Sequence, residues 1–372
     1  MQIQIIGDIF GSTGYASHVR QLSNALSRQG ADVRIDSTKP VGWESQVNDA
    51  ELNMLTKDVS KDRTDVCINL PHTWAYHLSA RPKHFVGCVI WEGNKIPEFW
   101  LKHLADERVN AIICPSSHTR QAIFNTDTNL MTKPLSAIDN KIRLVPHGVD
   151  QAIFNYSGPT KNKKCTFFAN KGWTNALKDR GGLQYIIKAF AEEFSKKDKV
   201  KLLVKINKVY APNFNVLAAI KQLGIKQPKK DRAQVMITET DLPYNRLPEL
   251  YKQCDCFVSA SMGEAFNIPV IEAMSCGLPA IVTNVGGHCD FVNKSNGWKV
   301  KSTPYLVKDD FQYEGISWAK ISQSELRKTM RNVYNLWKKD GLKIKSKGAL
   351  RTAKRYSWDN AAKKLIEIID NL

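Results

Sequence analysis

Short runs of β-branched and apolar residues alternate with longer stretches of helical periodicity from the first residue, and the series runs twice through the chain. In the first half the strand candidates are 2–6, 32–35, 64–70, 85–91, 111–115 and 142–146. In the second half they are 165–169, 201–206, 234–238, 256–260, 279–283 and 297–300. Several are unbroken apolar runs, such as Ala111-Ile112-Ile113-Cys114 and Ala280-Ile281-Val282, the pattern of parallel strands buried on both faces. Between them, 17–28 and 182–194 place apolar residues three and four apart, as amphipathic helices do. Alternation of this kind predicts an α/β chain of two Rossmann-like, doubly wound parallel-sheet domains. The polar stretch from Asn155 to Lys164 reads as their linker, giving domains over 1–155 and 160–357. A last helix over 358–372 is expected to pack back on the first domain. Two such sheets are expected to face each other across a cleft at the carboxyl ends of their strands, where ligands bind.

The bulk properties agree with two ordinary cores. The chain has 372 residues, of which 42% are hydrophobic, and domains run to roughly 100–200 residues. The start, Met1 to Asp8, lacks the basic and long apolar regions of a secretory leader. No stretch approaches the ~20 apolar residues that a membrane span needs. A soluble, cytoplasmic protein is expected, with any membrane contact peripheral. The eight cysteines sit mostly in apolar runs, and Cys254-Asp255-Cys256 has neither zinc-ribbon nor redox spacing. They read as small buried hydrophobes in a reducing compartment.

Charge is unevenly placed. Residues 1–155 hold 16 basic and 16 acidic side chains, whereas 156–372 hold 38 and 20, so the whole excess of +18 lies in the second half. Such a balance fits a solvated basic surface and equally fits a polyanionic partner, such as nucleic acid or anionic lipid.

The most informative block is Ser259-Ala260-Ser261-Met262-Gly263-Glu264-Ala265-Phe266-Asn267-Ile268-Pro269-Val270-Ile271-Glu272-Ala273-Met274-Ser275-Cys276-Gly277-Leu278-Pro279. A buried strand ends in a small polar turn, and Pro269 sits in the first turn of a helix, where its missing N–H costs little. Loop amides and the helix N-terminus suit an anion. Glu264 and Glu272 would repel a bare phosphate, but ionised carboxylates accept several hydrogen bonds each and grip sugar diols.

This block resembles the Glu-x7-Glu motif of retaining, family-four-type glycosyltransferases (glycosyl transferases group 1), which have the GT-B fold. The resemblance implies that Glu264 contacts the donor sugar, that Glu272 holds the ribose hydroxyls, and that the amides of Phe266, Asn267 and Ile268 lie near the sugar or diphosphate. It also makes 1–155 the acceptor-side domain and 160–357 the nucleotide-sugar domain. Two family glycines are replaced, by Ala265 and Asn267, which bears on donor identity.

Other segments extend the likeness. Thr13-Gly14-Tyr15-Ala16-Ser17-His18-Val19 resembles the first βα turn of the family, with Thr13 in place of its first glycine; Thr13 and Gly14 are donor-binding candidates. Val145-Pro146-His147-Gly148-Val149-Asp150 resembles the segment that ends the first domain. The family's Arg-x5-Lys pair, which neutralises the leaving diphosphate, is absent. Lys171 and Arg180 are the best substitutes, with Lys178 third. His72 stands where a family histidine contacts the transferred sugar, and Glu92, at the end of a strand expected to face the cleft, is an acceptor-side candidate.

The activity implied is transfer, with retention, of a sugar from a nucleoside-diphosphate sugar to a hydroxyl acceptor. No metal or other cofactor is expected, since no Asp-x-Asp signature is visible. The acceptor is open, and a polyanion such as hydroxymethylated DNA fits the charge. A nucleotide-sugar epimerase or phosphorylase on the same fold, and a non-catalytic nucleic-acid-binding protein on a transferase fold, are the competing readings.

Overall fold

The computed structural model describes residues 1–37, 47–56, 65–70, 82–127, 136–158, 162–209, 211–308 and 313–372. His72 lies outside them. The chain forms two units, 1–148 with 356–372, and 149–355.

The first unit opens with β1 (Gln2–Gly7), α1 (Gly14–Arg28), β2 (Asp32–Ser37), α2 (Asp49–Thr56), β3 (Val66–Leu70) and β4 (His84–Cys88). It continues through α3 (Trp100–Leu104), β5 (Val109–Cys114), α4 (Ser117–Phe124), α5 (Ser136–Asp139) and β6 (Ile142–Leu144). Its six strands lie in the order β2-β1-β3-β4-β5-β6, every neighbouring pair parallel.

The second unit contains β7 (Cys165–Gly172), α6 (Leu183–Glu193), β8 (Val200–Asn207), α7 (Val216–Gln222), β9 (Gln234–Thr238), α8 (Pro248–Tyr251) and β10 (Cys256–Ser259). After these come α9 (Ile268–Ser275), β11 (Ala280–Thr283), β12 (Gly297–Val300), β13 (Ser302–Leu306), β14 (Ser317–Ile321), α10 (Gln323–Trp337) and α11 (Lys343–Arg355). The six-stranded sheet has the order β12-β11-β10-β7-β8-β9, again all parallel. The chain then returns to the first unit as α12 (Trp358–Asp370).

Each of the twelve expected strands overlaps a strand of one of these two sheets, and the doubly wound α/β architecture follows. The antiparallel pair β13–β14 was not anticipated. One strand is shorter than expected: β4 stops at Cys88, so Glu92 sits in the following loop rather than at a strand end. The run departs because Trp91 turns into the core against Trp100, with ring centroids 5.1 Å apart, and its carbonyl accepts a 3.1 Å bond from Thr119.

Each sheet reverses its strand order once, between β1 and β3 in the first and between β7 and β10 in the second. Loops leave such a point in opposite directions and open a crevice at the carboxyl ends of the strands. The second sheet is buried throughout at its centre: all four residues of β10 and of β11 are buried. Phe167, Phe190 and Phe194 pack edge-on and tilted against one another beside it, with centroid separations of 5.1–6.2 Å.

In the first unit α12 is capped by Ser357 and lays Trp358 over two buried imidazoles, 5.3 Å from His18 and 5.5 Å from His147. Burial drives both histidines neutral, His18 down to about 3. Gly148 makes the approach possible, because a Cβ there would stand 2.2 Å from the Trp358 amide nitrogen and 2.3 Å from the Ser357 carbonyl carbon. Both are backbone atoms, which cannot rotate aside. By contrast, nothing lies within 4 Å of the Cβ position at Gly14. Calorimetry should therefore separate two alanine variants. Gly148→Ala should cost ~2 kcal/mol or more, a fall of several degrees in Tm, whereas Gly14→Ala should leave Tm within about a degree or raise it slightly.

Candidate active site

The reversal of strand order in the second sheet brings together the ends of β7 and β10, which are far apart in sequence. Consecutive residues at the end of β7 point to two different carboxylates. Lys171 donates from Nζ to Glu264 Oε1 at 2.7 Å. Asn170 donates to the Tyr251 hydroxyl at 3.4 Å, and that hydroxyl donates to Glu272 Oε2 at 2.8 Å. Glu264 lies in the loop that leaves β10, and Glu272 lies on α9, whose second residue is Pro269.

Glu264 is held firmly. Burial by itself would raise its pKa, but the charges of Lys171 and Arg180, with hydrogen bonds from Lys171 and Ser261, override this and bring it to about 2. Ser261 Oγ is 2.6 Å from the same Oε1 that Lys171 binds. The side chains of Lys171 and Glu264 are only 11% and 15% exposed, so the pair is largely removed from water. Glu272 is the opposite case. Its burial outweighs the Tyr251 hydrogen bond and the nearby Lys171 charge, and the pKa rises to about 7.

Arg180 reaches the site through a tightly organised loop over 173–182. Asp179, itself buried, accepts from the amide of Thr174 at 2.8 Å with Oδ2 and from the amide of Gly181 at 2.7 Å with Oδ1. The carbonyl of Arg180 accepts from the Met262 amide at 2.8 Å, and its guanidinium donates to the Gly263 carbonyl at 2.7 Å. Gly182 completes the clamp as the N-cap of α6, with φ 80°. A Cβ there would come within 2.1 Å of the Ala260 carbonyl oxygen, so only glycine lets the start of α6 press on the exit of β10.

Asn267 precedes α9 in a left-handed conformation, φ 81° and ψ 64°. Its Oδ1 accepts from Lys171 Nζ at 2.8 Å, and its Nδ2 donates to Ser259 Oγ at 3.0 Å. The ammonium of Lys171, the guanidinium of Arg180 and the N-terminus of α9 together favour an anion. Two carboxylates beside them favour hydroxyl groups. Among the described residues, no group of three or more His, Cys, Asp or Glu side chains could hold a metal ion, and no helix is long and apolar enough to cross a membrane.

The sequence candidates therefore fall into distinct groups. Lys171, Arg180, Glu264, Asn267 and Glu272 converge. Phe266 is buried against Phe291, centroids 5.0 Å apart, and Ile268 is also buried, so only their backbone could meet a ligand. Lys178 lies on the exposed side of its loop, its amide bonded to Asn175 at 3.2 Å. Thr13, Gly14 and Glu92 belong to the first unit. Thr13 caps α1 by accepting from the Ala16 amide at 3.1 Å, in a turn held by buried Arg20, whose Nη1 donates to the Gly11 carbonyl at 2.9 Å. Glu92 is buried, and its carbonyl is 3.2 Å from His118 Nε2. Sequence reading missed Asn170, Asp179, Tyr251 and Ser261 as parts of the site. Ser261 stood inside the 259–279 block, but its partner, like those of the other three, becomes visible only with the strands paired.

The glycosyl transferases group 1 profile matches residues 173–332. A protein of Sulfolobus islandicus filamentous virus, named as glycosyltransferase 45, is 23% identical over 57% of this chain and 52% of its own length. The chain spans about half the length, or less, of the curated relatives it matches. Among solved structures, a glycosyltransferase of Rickettsia africae aligns with a TM-score of 0.68 at 16% identity, covering 100% of this chain and 98% of that one. HepE of Anabaena, solved with UDP-glucose, aligns with a TM-score of 0.63 at 14% identity over 100% of both chains. Residues 173–332 are therefore the part of the chain that resembles the glycosyl transferases group 1, and the chain has the GT-B fold of its structural neighbours.

Proposed function

We propose that this chain is a retaining glycosyltransferase that moves a sugar from a nucleoside-diphosphate sugar to a hydroxyl acceptor. The observation that carries this reading is the Lys171–Glu264 pair at the strand-order reversal, with Glu272 eight residues further on. HepE, a neighbour in fold, was solved with UDP-glucose, and this supports the same donor class here.

In this reading the diphosphate lies against Lys171, Arg180 and the amides that open α9, and Glu272 grips the ribose diol. The hydrogen bonds from Lys171 and Ser261 both fall on Oε1 of Glu264, so Oε2 is the acceptor offered to a sugar hydroxyl. The bond between the anomeric carbon and the β-phosphate oxygen breaks, and charge develops on that oxygen where the cations stand. The acceptor oxygen attacks the same face, and its proton passes to the leaving phosphate oxygen. Glu264, tied to Lys171 and ionised, orients the sugar rather than attacking it. The chemistry needs no metal as long as these side chains neutralise the phosphate.

One observation favours a polyanionic acceptor or tether. Residues 149–355 hold 36 basic and 18 acidic side chains, whereas the other unit holds 18 of each. The exposed members include Lys163, Lys164, Lys196, Lys197, Lys199, Lys229, Lys230 and Lys294. All lie in segments that enter β7, β8, β9 or β12, at the amino edge of the sheet. The site lies at the carboxyl edge, about 26 Å away along an eight-residue strand. A polyanion such as hydroxymethylated DNA held on that edge would be tethered to the domain, not bound at the reacting atoms. Replacing Lys196, Lys197 and Lys199 by Gln should then weaken DNA retention and flatten its salt dependence. Acceptor-independent donor cleavage should stay unchanged. Equal DNA affinity at low and high salt would refute the tether.

The central test is nucleoside-diphosphate release from a panel of nucleotide sugars, with hydroxymethylated DNA, plain DNA or no acceptor. Wild type should cleave one donor. Lys171→Ala should lower kcat by roughly 10²–10³, as expected for loss of a preorganised charge at the leaving oxygen, while Glu272→Ala should chiefly raise the donor KM. Gly14→Ala folds normally on the argument above, so lost turnover in it would report a ligand at the first βα turn. No release, and no rise in Tm with any nucleotide sugar, would favour the non-catalytic binder.

A pH prediction follows from Glu272. Its pKa is raised to about 7 from an ordinary 4.5, so the folded protein holds the proton more tightly than the unfolded chain does. Stability from this group is complete below about 4.5, falls as pH rises towards 7, and is level above it. Tm measured against pH should show this decline in wild type and lose it in Glu272→Gln. Nucleoside-diphosphate affinity should rise through the same range as Glu272 ionises, and this rise should also vanish in Glu272→Gln.

A further inference from the structure

We propose that Asn267 is a positioning residue for the leaving group, holding the Lys171 ammonium so that one of its three N–H groups is aimed at the diphosphate. The inference rests on the reading of this site as a nucleotide-sugar transferase. Only two described residues other than glycine have a positive φ, Asn267 and Asp340. Such a conformation is strained for most residues with a Cβ, and glycine adopts it freely. The side chain that sits here instead is 3% exposed, and both ends of its amide are engaged.

The orientation of that amide is dictated by its neighbours. His288 Nε2 is 2.7 Å from the Thr283 carbonyl oxygen, so it carries the proton. His288 Nδ1 then accepts from Asn267 Nδ2 at 3.4 Å, while the second N–H of Nδ2 goes to Ser259 Oγ at 3.0 Å. Both donors of the amide are spoken for on the β10 and His288 side. Its oxygen therefore faces Lys171 Nζ at 2.8 Å; the flipped amide would set a donor against an ammonium. Lys171 thus has two fixed acceptors, Glu264 Oε1 and Asn267 Oδ1. A tetrahedral ammonium held at two points can no longer spin, and its third N–H has a single direction. With Gly at 267 the Glu264 contact alone would remain, and the ammonium could rotate about it.

Two measurements test this, one of them without a substrate. In ¹⁵N-lysine ammonium NMR of the ligand-free protein, Lys171 should give a slowly exchanging signal in wild type. In Asn267→Gly, which suits the left-handed backbone, exchange should quicken several-fold or the signal should vanish. Asn267→Asp keeps an acceptor for Lys171 but loses the donors to Ser259 and His288, so it should retain the signal. An unchanged signal in Asn267→Gly would overturn the proposal, as would its loss in Asn267→Asp, which would mark a purely structural role. With the donor cleaved in the panel, Asn267→Gly should lower kcat about tenfold and leave the donor KM within about twofold, as a transition-state contact does. In a Lys171→Ala background the same change should cost nothing further. Equal costs in both backgrounds would also overturn it. Should no nucleotide sugar be cleaved, the transferase reading fails while the NMR comparison still decides the role of Asn267.

Discussion

A charged pair withdrawn from water costs several kcal/mol per ion in lost hydration, and repays it only when other polar groups close around it. Lys171 and Glu264 satisfy that condition although they are 93 residues apart in the chain. They meet because β7 and β10 are neighbours where the strand order reverses, so the pair depends on the topology of the whole second sheet. Ser261 and Asn267 supply the extra contacts, Arg180 adds a second cation, and Asp179 keeps the loop that carries Arg180 in place. Removing one member would strand the others, which is costlier than never having buried them.

The two glutamates show how the same side chain is given two ionisation states a few residues apart. Glu264 faces cations and stays charged; Glu272 faces a tyrosine hydroxyl in a drier setting and holds its proton to near neutrality. The difference arises from neighbours on β7. Lys171 points to one glutamate and Asn170, through Tyr251, to the other.

Much of this was legible in the sequence, for physical reasons. Strands buried on both faces, such as β10 and β11, write themselves as unbroken apolar runs, and the rest of the twelve could be read from the alternation of short β-rich runs with helical stretches. The β13–β14 pair escaped because Ser302–Leu306 is polar, mostly exposed and contains Pro304. Glu264 and Glu272 were legible from spacing, since a loop and a helix fix their separation locally. Lys171 and Arg180 could be chosen by role, but what unites them with Glu264 is a contact between distant strands. The tyrosine that raises no motif by itself, Tyr251, matters only through such a contact. Net charge was likewise an imperfect guide. Arg331 contributes to the basic total, yet it bonds Glu193 at 2.8 Å and Asp198 at 2.7 Å and stacks 4.4 Å from the Phe194 ring, so its charge is taken up by local ion pairs.

Gly182 places a one-sided limit on how this loop can diversify. Because its Cα rests against the Ala260 carbonyl, the stretch from Arg180 to the start of α6 is locked to the end of β10. Insertions and deletions there would push a helix into a strand. Between the buried Trp173 and Asp179 the chain is tied mainly through the Asp179 carboxylate to amides that a new loop could also offer. Drift in length is therefore channelled to the amino-terminal half of the loop. The spacing between Lys171 and Arg180 can vary through that half while Arg180 stays fixed against the exit of β10.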